Sequence, residues 1–223
     1  MPPHDRTERQ CFDAGAASVT GIDEVGRGCW AGPVVAAAAT FDAAGIAALA
    51  ASGLVDDSKQ LTAARRERAR GIIERVALGW SIGQVPAWLI DQIGILAATR
   101  LAMTDALLRS PRPVACLLVD AVTLAWPAPQ RALIGGDATS LAIAAASILA
   151  KCARDRRLGQ LDRRYPGYGF ARHRGYGTAE HVRGLQRYGR CAEHRHSFRP
   201  IANLTDASAA GGVMHADPLC SAR

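Results

Sequence analysis

The sequence has 223 residues, 49% of them hydrophobic, 5% aromatic and 21% charged, with a formal net charge of +7. That suits one good-sized core with at most a small appendage, and it excludes a bilayer-spanning chain, because the longest uncharged apolar run, "LAIAAASILA" at 141–150, is too short. Six cysteines without C-x-x-C spacing, after a start that lacks an apolar signal segment, exclude a disulfide scaffold and point to free thiols in a reducing cytoplasm.

In chain order, residues 1–17 read as a flexible polar start. "SVTGIDEVG" and "GPVVAAAATF" read as two strands of a hairpin joined by the turn between Gly26 and Gly32. "DDSKQL" is a loop, and "TAARRERARGIIERVA" is a helix with Thr62 at its N-cap. "WSIGQVP" is a short strand, and apolar residues recur at helical spacing from Trp88 to Leu108. "VACLLVD" (114–120) is a strand buried on both faces. "RALIGGDATS" supplies a short strand and a turn, with Thr139 or Ser140 capping the helix "LAIAAASILAKCARDRR". A Tyr/Gly/Arg-rich loop, the helix "TAEHVRGLQRYG" and the basic exit "HRHSFRP" follow, and the last stretch, 202–223, reads as a disordered tail. Strands interleaved with helices give a single α/β domain over 18–201 with a mixed sheet.

Charge is unevenly placed. Residues 151–199 hold 13 Lys and Arg against 4 Asp and Glu, leaving 14 basic and 16 acidic residues elsewhere. Such a footprint suits a polyanion-binding face.

The acids define the candidate chemistry. Asp23-Glu24, Asp120 and Asp137 each follow apolar residues at a strand end or turn. Strand ends of α/β sheets present ligands to a crevice. Taken singly, each acid also suits a solvated turn. Converging carboxylates would repel unless cations neutralised them. All-oxygen donors suit Mg²⁺ or Mn²⁺, and paired ions assist phosphodiester hydrolysis by activating water and stabilising the leaving oxygen. The run Gly26-Arg27-Gly28 lets a backbone approach a ligand closely, although a tight hairpin turn needs glycines equally.

Six blocks, "GIDEVGRG…GPVVAAA", "DDSKQL", "LLVDA", "GGDATSLAIAAASILAKCARDR", "YPGYGFARHRGYGTAEH" and "HRHSFRP", resemble bacterial ribonuclease HII in this order over roughly residues 18–201. The resemblance implies an RNase H-like α/β fold, a mixed central sheet flanked by helices with a small C-terminal helical extension. It implies an endonuclease that cuts the RNA strand of RNA–DNA hybrids, and duplex DNA 5′ to a single embedded ribonucleotide, leaving a 3′-hydroxyl and a 5′-phosphate. By motif, its catalytic and metal-binding acids (Mn²⁺ or Mg²⁺) fall on Asp23, Glu24, Asp120 and Asp137. Substrate-binding residues fall on Gly26, Arg27 and Gly28, which would read the 2′-hydroxyl, on Lys59, Lys151 and Arg154 as phosphate or active-site contacts, and on Tyr176, the junction-sensing tyrosine. Ser147 matches as well, and so does tight helix packing at that position. Asp155, among arginines, reads as an ion-pair partner. Tyr165 and Tyr168 read as packing, and His173, His181, His194 and His196 as phosphate contacts or surface.

Three positions depart from the family's pattern: Gly135 where lysine is common, Cys29-Trp30 for a more usual apolar-small pair, and His196 where arginine is common. About 17 residues precede the first strand, which favours the HII over the HIII type, whose catalytic unit follows a substantial N-terminal domain. A monomer acting on nucleic acid, without a membrane, is expected. The alternative is a non-catalytic hybrid-binding module, which the complete acid set disfavours.

Overall fold

The computed structural model describes residues 3–204. Its first element is a helix, α1 (Arg6–Asp13), which corrects the expected flexible start over 1–17. Among its polar residues, Glu8 and Cys11 lie three apart on one face and are buried. The Cys116 thiol donates to Cys11 Sγ at 2.9 Å and seats the helix on the domain.

β1 (Val19–Val25) and β2 (Val34–Phe41) form the expected antiparallel hairpin, Val19 facing Phe41 and Val25 facing Val35. α2 (Ala43–Ser52) follows, its first turn capped by Asp42, which accepts from the Gly45 amide at 2.8 Å. α3 (Ala63–Val76) starts at Thr62 as expected, the hydroxyl accepting from the Arg65 amide. β3 (Gly79–Val85) pairs antiparallel with β2. The single helix expected over 88–108 is two, α4 (Ala87–Ile93) and α5 (Ile95–Leu108), because Gly94 at φ 77° interrupts the helical ladder.

β4 (Leu117–Asp120) lies parallel to β1, and β5 (Gln130–Leu133) parallel to β4. The sheet order is β3-β2-β1-β4-β5, a mixed sheet. A short helix, α6 (Gly136–Thr139), leads through Ser140 into α7 (Leu141–Arg164), the longest helix. α8 (Phe170–His173), α9 (Ala179–Tyr188) and α10 (Arg199–Ala202) make up the helical extension. The expected disordered tail lies, from residue 205 on, outside the described residues.

Helices cover both faces of the sheet, which is why its central strands are apolar on both sides. One core joins Val19, Ala37, Ala39 and Phe41 to α2, α3 and the start of α7. The other joins Ile22, Val34, Ala36 and Ala38 to α4 and α5. Odd residues of β1 therefore face α7 and even ones face α5. Backbone approaches set the spacing: a Cβ on Gly21 would lie 2.1 Å from the Ala142 carbonyl of α7, and one on Gly83 2.1 Å from that of Ala102 in α5. A third cluster, including Ala31, Leu158, Tyr168, Phe170 and Ile201, fastens the extension to the far half of α7. Among the described residues, no helix is long and apolar enough to cross a membrane.

Candidate active site

Asp23 and Glu24 end β1, and Asp120 ends its parallel neighbour β4, where Ile22 pairs with Val119. Three acids thus reach the carboxyl edge of two adjacent strands, the usual ligand edge of such sheets. Adjacency in sequence is resolved by strand geometry: Asp23 turns to the α7 face, while Glu24, on the opposite side, lies where the chain leaves the strand. Asp137 arrives on α6, and the Gly136 amide donates to Asp120 Oδ1 at 2.8 Å, tying that helix to β4. Ala121, directly after Asp120, holds φ 55°, a left-handed conformation uncommon outside glycine.

Asp23 is only 5% exposed. Burial, then the Glu24 charge, with Asp120 adding, raises its carboxyl well above the usual range; hydrogen bonds from Ser147 and the Glu24 amide oppose this. The Ser147 hydroxyl also lies 2.9 Å from that of Ser58, so its mid-helix place is a polar one as well as a packed one. Burial raises Glu24 too, Arg27 pulls it back, and Asp120 adds to the rise.

Among the described residues, no three acidic, histidine or cysteine side chains close into a ready coordination cluster. Each acid has its own partner instead: Asp23 Oδ1 accepts from the Glu24 amide at 2.7 Å, Glu24 pairs with Arg27 at 3.2 Å, and Asp137 pairs with Lys59 at 3.1 Å. Lys59 is 76% exposed in that pair, so it contributes only about 0–1 kcal/mol and yields readily to a stronger cation. The donor set, four carboxylates of which Asp23 and Glu24 are pushed towards protonation by burial first and by neighbouring acids second, suits a hard divalent ion.

Beside the acids runs the loop between β1 and β2. Gly26 has φ 93°, and a Cβ there would lie 2.2 Å from Arg154 Nε, so glycine is required twice over. Gly28 has open space around it. Arg154, expected at the substrate, is fully buried instead. Its guanidinium donates to the carbonyls of Pro33 (3.0 Å), Arg174 (2.8 Å) and Ala31 (3.0 Å), which makes it a brace under the loop. Arg195, which sequence reasoning left inside a basic exit, is a second brace. It donates to Gly32 O and to Arg27 O at 2.8 Å, and burial beside Arg154 lowers it to about 10. Only its place in an arginine-rich segment marked it in the sequence.

Tyr176, 47% exposed, stands on the facing loop. Burial of its inner part and the adjacent Cys29 thiol raise its phenol. The two loops are clipped together: the Trp30 amide donates to Gly175 O at 2.8 Å, and the Trp30 ring occupies the space a Gly177 side chain would need. Lys151 pairs with Asp155 at 2.8 Å, and Asp155 also takes Arg66 at 3.3 Å, the expected ion-pair role. Of the four histidines expected at the surface or on phosphate, only His196 is exposed. His173, His181 and His194 are buried under the Tyr176 loop, packed ring against ring, which corrects that expectation.

Acids at the ends of a parallel strand pair, inside a mixed five-stranded sheet braced by one long helix, define a nuclease of the ribonuclease H class. A family description, Ribonuclease HII, matches residues 20–201. The Ribonuclease HII of Roseiflexus castenholzii is 50% identical over 208 residues, 93% of each chain. The crystal structure of the ribonuclease H2 from Pyrococcus horikoshii superposes with a TM-score of 0.74 at 25% identity, covering 86% of this chain and 99% of that one. A Bst-RNase HIII solved in complex with Mn²⁺ shares the fold, with a TM-score of 0.67 at 20% identity, over 86% of this chain and 70% of that one. The chain belongs to the ribonuclease HII family and is a type 2 ribonuclease H, an endonuclease of RNA strands.

Proposed function

We propose that this enzyme hydrolyses the RNA strand of RNA–DNA hybrids and cuts duplex DNA on the 5′ side of a single ribonucleotide, releasing a 3′-hydroxyl and a 5′-phosphate. The observation that carries the reading is the meeting of Asp23, Glu24 and Asp120 at one sheet edge, with Asp137 tied to it through Gly136. Asp23, Glu24, Asp120 and Asp137 would hold Mg²⁺ or Mn²⁺, which when bound supplies Lewis-acid stabilisation of the leaving oxygen and a more acidic water. The chain's own part is positioning. Ser147 holds the Asp23 carboxylate in place, and Gly136 holds that of Asp120. Lys59, displaced from Asp137, faces incoming phosphate as a movable cation, and Lys151, held by Asp155, adds fixed positive charge nearby.

Selection for ribose falls to the Gly26-Arg27-Gly28 backbone, braced by Arg195 on the Arg27 carbonyl and by Arg154 on the Ala31 and Pro33 carbonyls further along the same loop. Peptide groups fixed in this way can contact a 2′-hydroxyl that a deoxyribose lacks. Tyr176, clipped to the same loop, presents its ring to the next sugar and favours deoxyribose there. In this reading the enzyme works as a monomer in the cytoplasm, removing ribonucleotides from duplex DNA.

The test is cleavage of a labelled duplex with one ribonucleotide, beside an all-DNA control, in Mg²⁺, Mn²⁺ and EDTA. A metal-dependent cut 5′ to the ribonucleotide, lost in Asp120→Asn, is expected. Cutting an all-RNA strand but not the single ribonucleotide would sink the account of Gly26–Gly28 and Tyr176. Hybrid binding without any cut would leave only a binding module.

A further inference from the structure

We propose that Glu8 is a positioning residue for Asp137, acting through the joint between α6 and α7. The inference rests on the reading of Asp137 as a metal-binding carboxylate. Glu8 belongs to α1, outside the sheet, yet it is fully buried. Its Oε1 accepts from the Ser140 hydroxyl at 2.6 Å and from the Ala142 amide at 2.9 Å. A parallel backbone bridge between His4 and Ser140 pins the same point.

Ser140 is the N-cap of α7, its oxygen accepting from the Ile143 amide at 3.2 Å. Glu8 therefore satisfies a second orphan amide of that helix start and takes the cap's own proton, so the hydroxyl can point only one way. The Ser140 amide donates back to Gly136 O at 2.9 Å, closing the turn that carries Asp137. Ala142, the other group Glu8 holds, is the residue that abuts Gly21, two residues before Asp23. One carboxylate oxygen thus ties the turn of Asp137 to the strand of Asp23. Among the described residues, the second oxygen, Oε2, is buried without a partner. Such an orphan costs free energy that an apolar side chain would avoid, so packing alone does not account for an acid here.

The test uses the full chain, with Mn²⁺ binding read by calorimetry and by the rise in melting temperature it produces, beside kcat and KM on the ribonucleotide-containing duplex. Glu8→Ala is expected to raise the half-saturating Mn²⁺ concentration about tenfold, the lower end of what groups behind metal ligands supply. Its kcat falls with KM for the duplex unchanged. Glu8→Gln keeps an oxygen acceptor for Ser140 and Ala142 and stays near wild type. Should Glu8→Ala yield too little folded protein, Glu8→Asp withdraws the acceptor by one methylene and shows the same direction. A Glu8→Ala or Glu8→Asp protein that melts lower but binds Mn²⁺ and turns over as wild type does overturns the inference. Asp137→Asn, run in parallel, separates the layers: undiminished Mn²⁺ binding there overturns the reading of Asp137 and this inference with it.

Discussion

Two guanidiniums without a carboxylate partner among the described residues sit under the loop between β1 and β2. Arg154 and Arg195 are both fully buried and spend their donors on backbone carbonyls. Hydrogen bonds from a charged donor are worth about 1.5–3 kcal/mol each, and the planar fork that reaches three carbonyls at once has no lysine equivalent. Arg154→Lys is therefore expected to lower folding stability by about 2–4 kcal/mol, measured by urea denaturation. Binding supplies the sharper discrimination. Removing a phosphate contact flattens the slope of log K against log salt by about one, whereas removing a brace leaves that slope unchanged. A flattened slope with normal stability would return Arg154 to the substrate.

At the scale of elements, the site depends on how closely α7 lies on β1. A methyl at position 21 would overlap the Ala142 carbonyl, with its Cβ only 2.1 Å away. That contact is backbone on backbone, so neither side yields cheaply. Gly21→Ala is expected to cost at least about 1–3 kcal/mol and to lower kcat, because it pushes Ser147 away from Asp23. Gly159, on the same helix with nothing within 4 Å, is the control: Gly159→Ala adds about 0.5–1 kcal/mol. A Gly21→Ala melting temperature equal to wild type would contradict the close approach. These elements also mark what the sequence made legible. β1, the Thr62 cap and the start of α7 carry local signals, an apolar stretch before a glycine turn, a capping hydroxyl and an apolar run, so their places were readable. α2 was missed because "AAGIAALAAS" is small and apolar on every side and shows no periodicity. α1 was missed because its inward groups are an acid and a cysteine, whose partners Ser140 and Cys116 are more than 100 residues away. The roles of Arg154 and Arg195 were hidden for the same reason. A motif shows that an arginine stands there, whereas only the fold shows that its donors end on carbonyls.

At the scale of the whole molecule, a pH response is built into the histidine cluster that supports the Tyr176 loop. His194 Nδ1 accepts from the Cys191 amide at 2.9 Å, so its proton is on Nε2, which lies 3.0 Å from His181 Nε2. His181 must accept there, which leaves its Nδ1–H to donate to Tyr176 O at 2.9 Å. His173 Nδ1 likewise accepts from the Gly175 amide, and its Nε2–H meets Tyr168 O at 2.7 Å. The His181 and His194 rings are thus neutral, and protonating either sets a donor against a donor. Burial lowers His181 from 6.5 to about 4, and burial with the His181 neighbour lowers His194 to about 3. At these two rings the unfolded chain therefore binds more protons than the folded one below pH 6.5. This stability is full above that pH and is lost as pH falls towards the folded values. Asp23, Glu24 and Glu8 act in the opposite sense, since their raised folded values make acidification favour the native state. The net curve of the wild type alone is then uninformative, and the difference between two proteins isolates the histidines. Wild type is expected to exceed a His181→Gln/His194→Gln variant in unfolding free energy at pH 7, and that excess to shrink by about 2–4 kcal/mol by pH 5. An excess that stays constant between those pH values would mean that the two rings are charged, or exposed, in the folded chain. If it shrinks, the loss comes from protons taken up by the unfolded chain, and the folded rings, neutral down to about pH 4, keep the Tyr176 loop in place across this window.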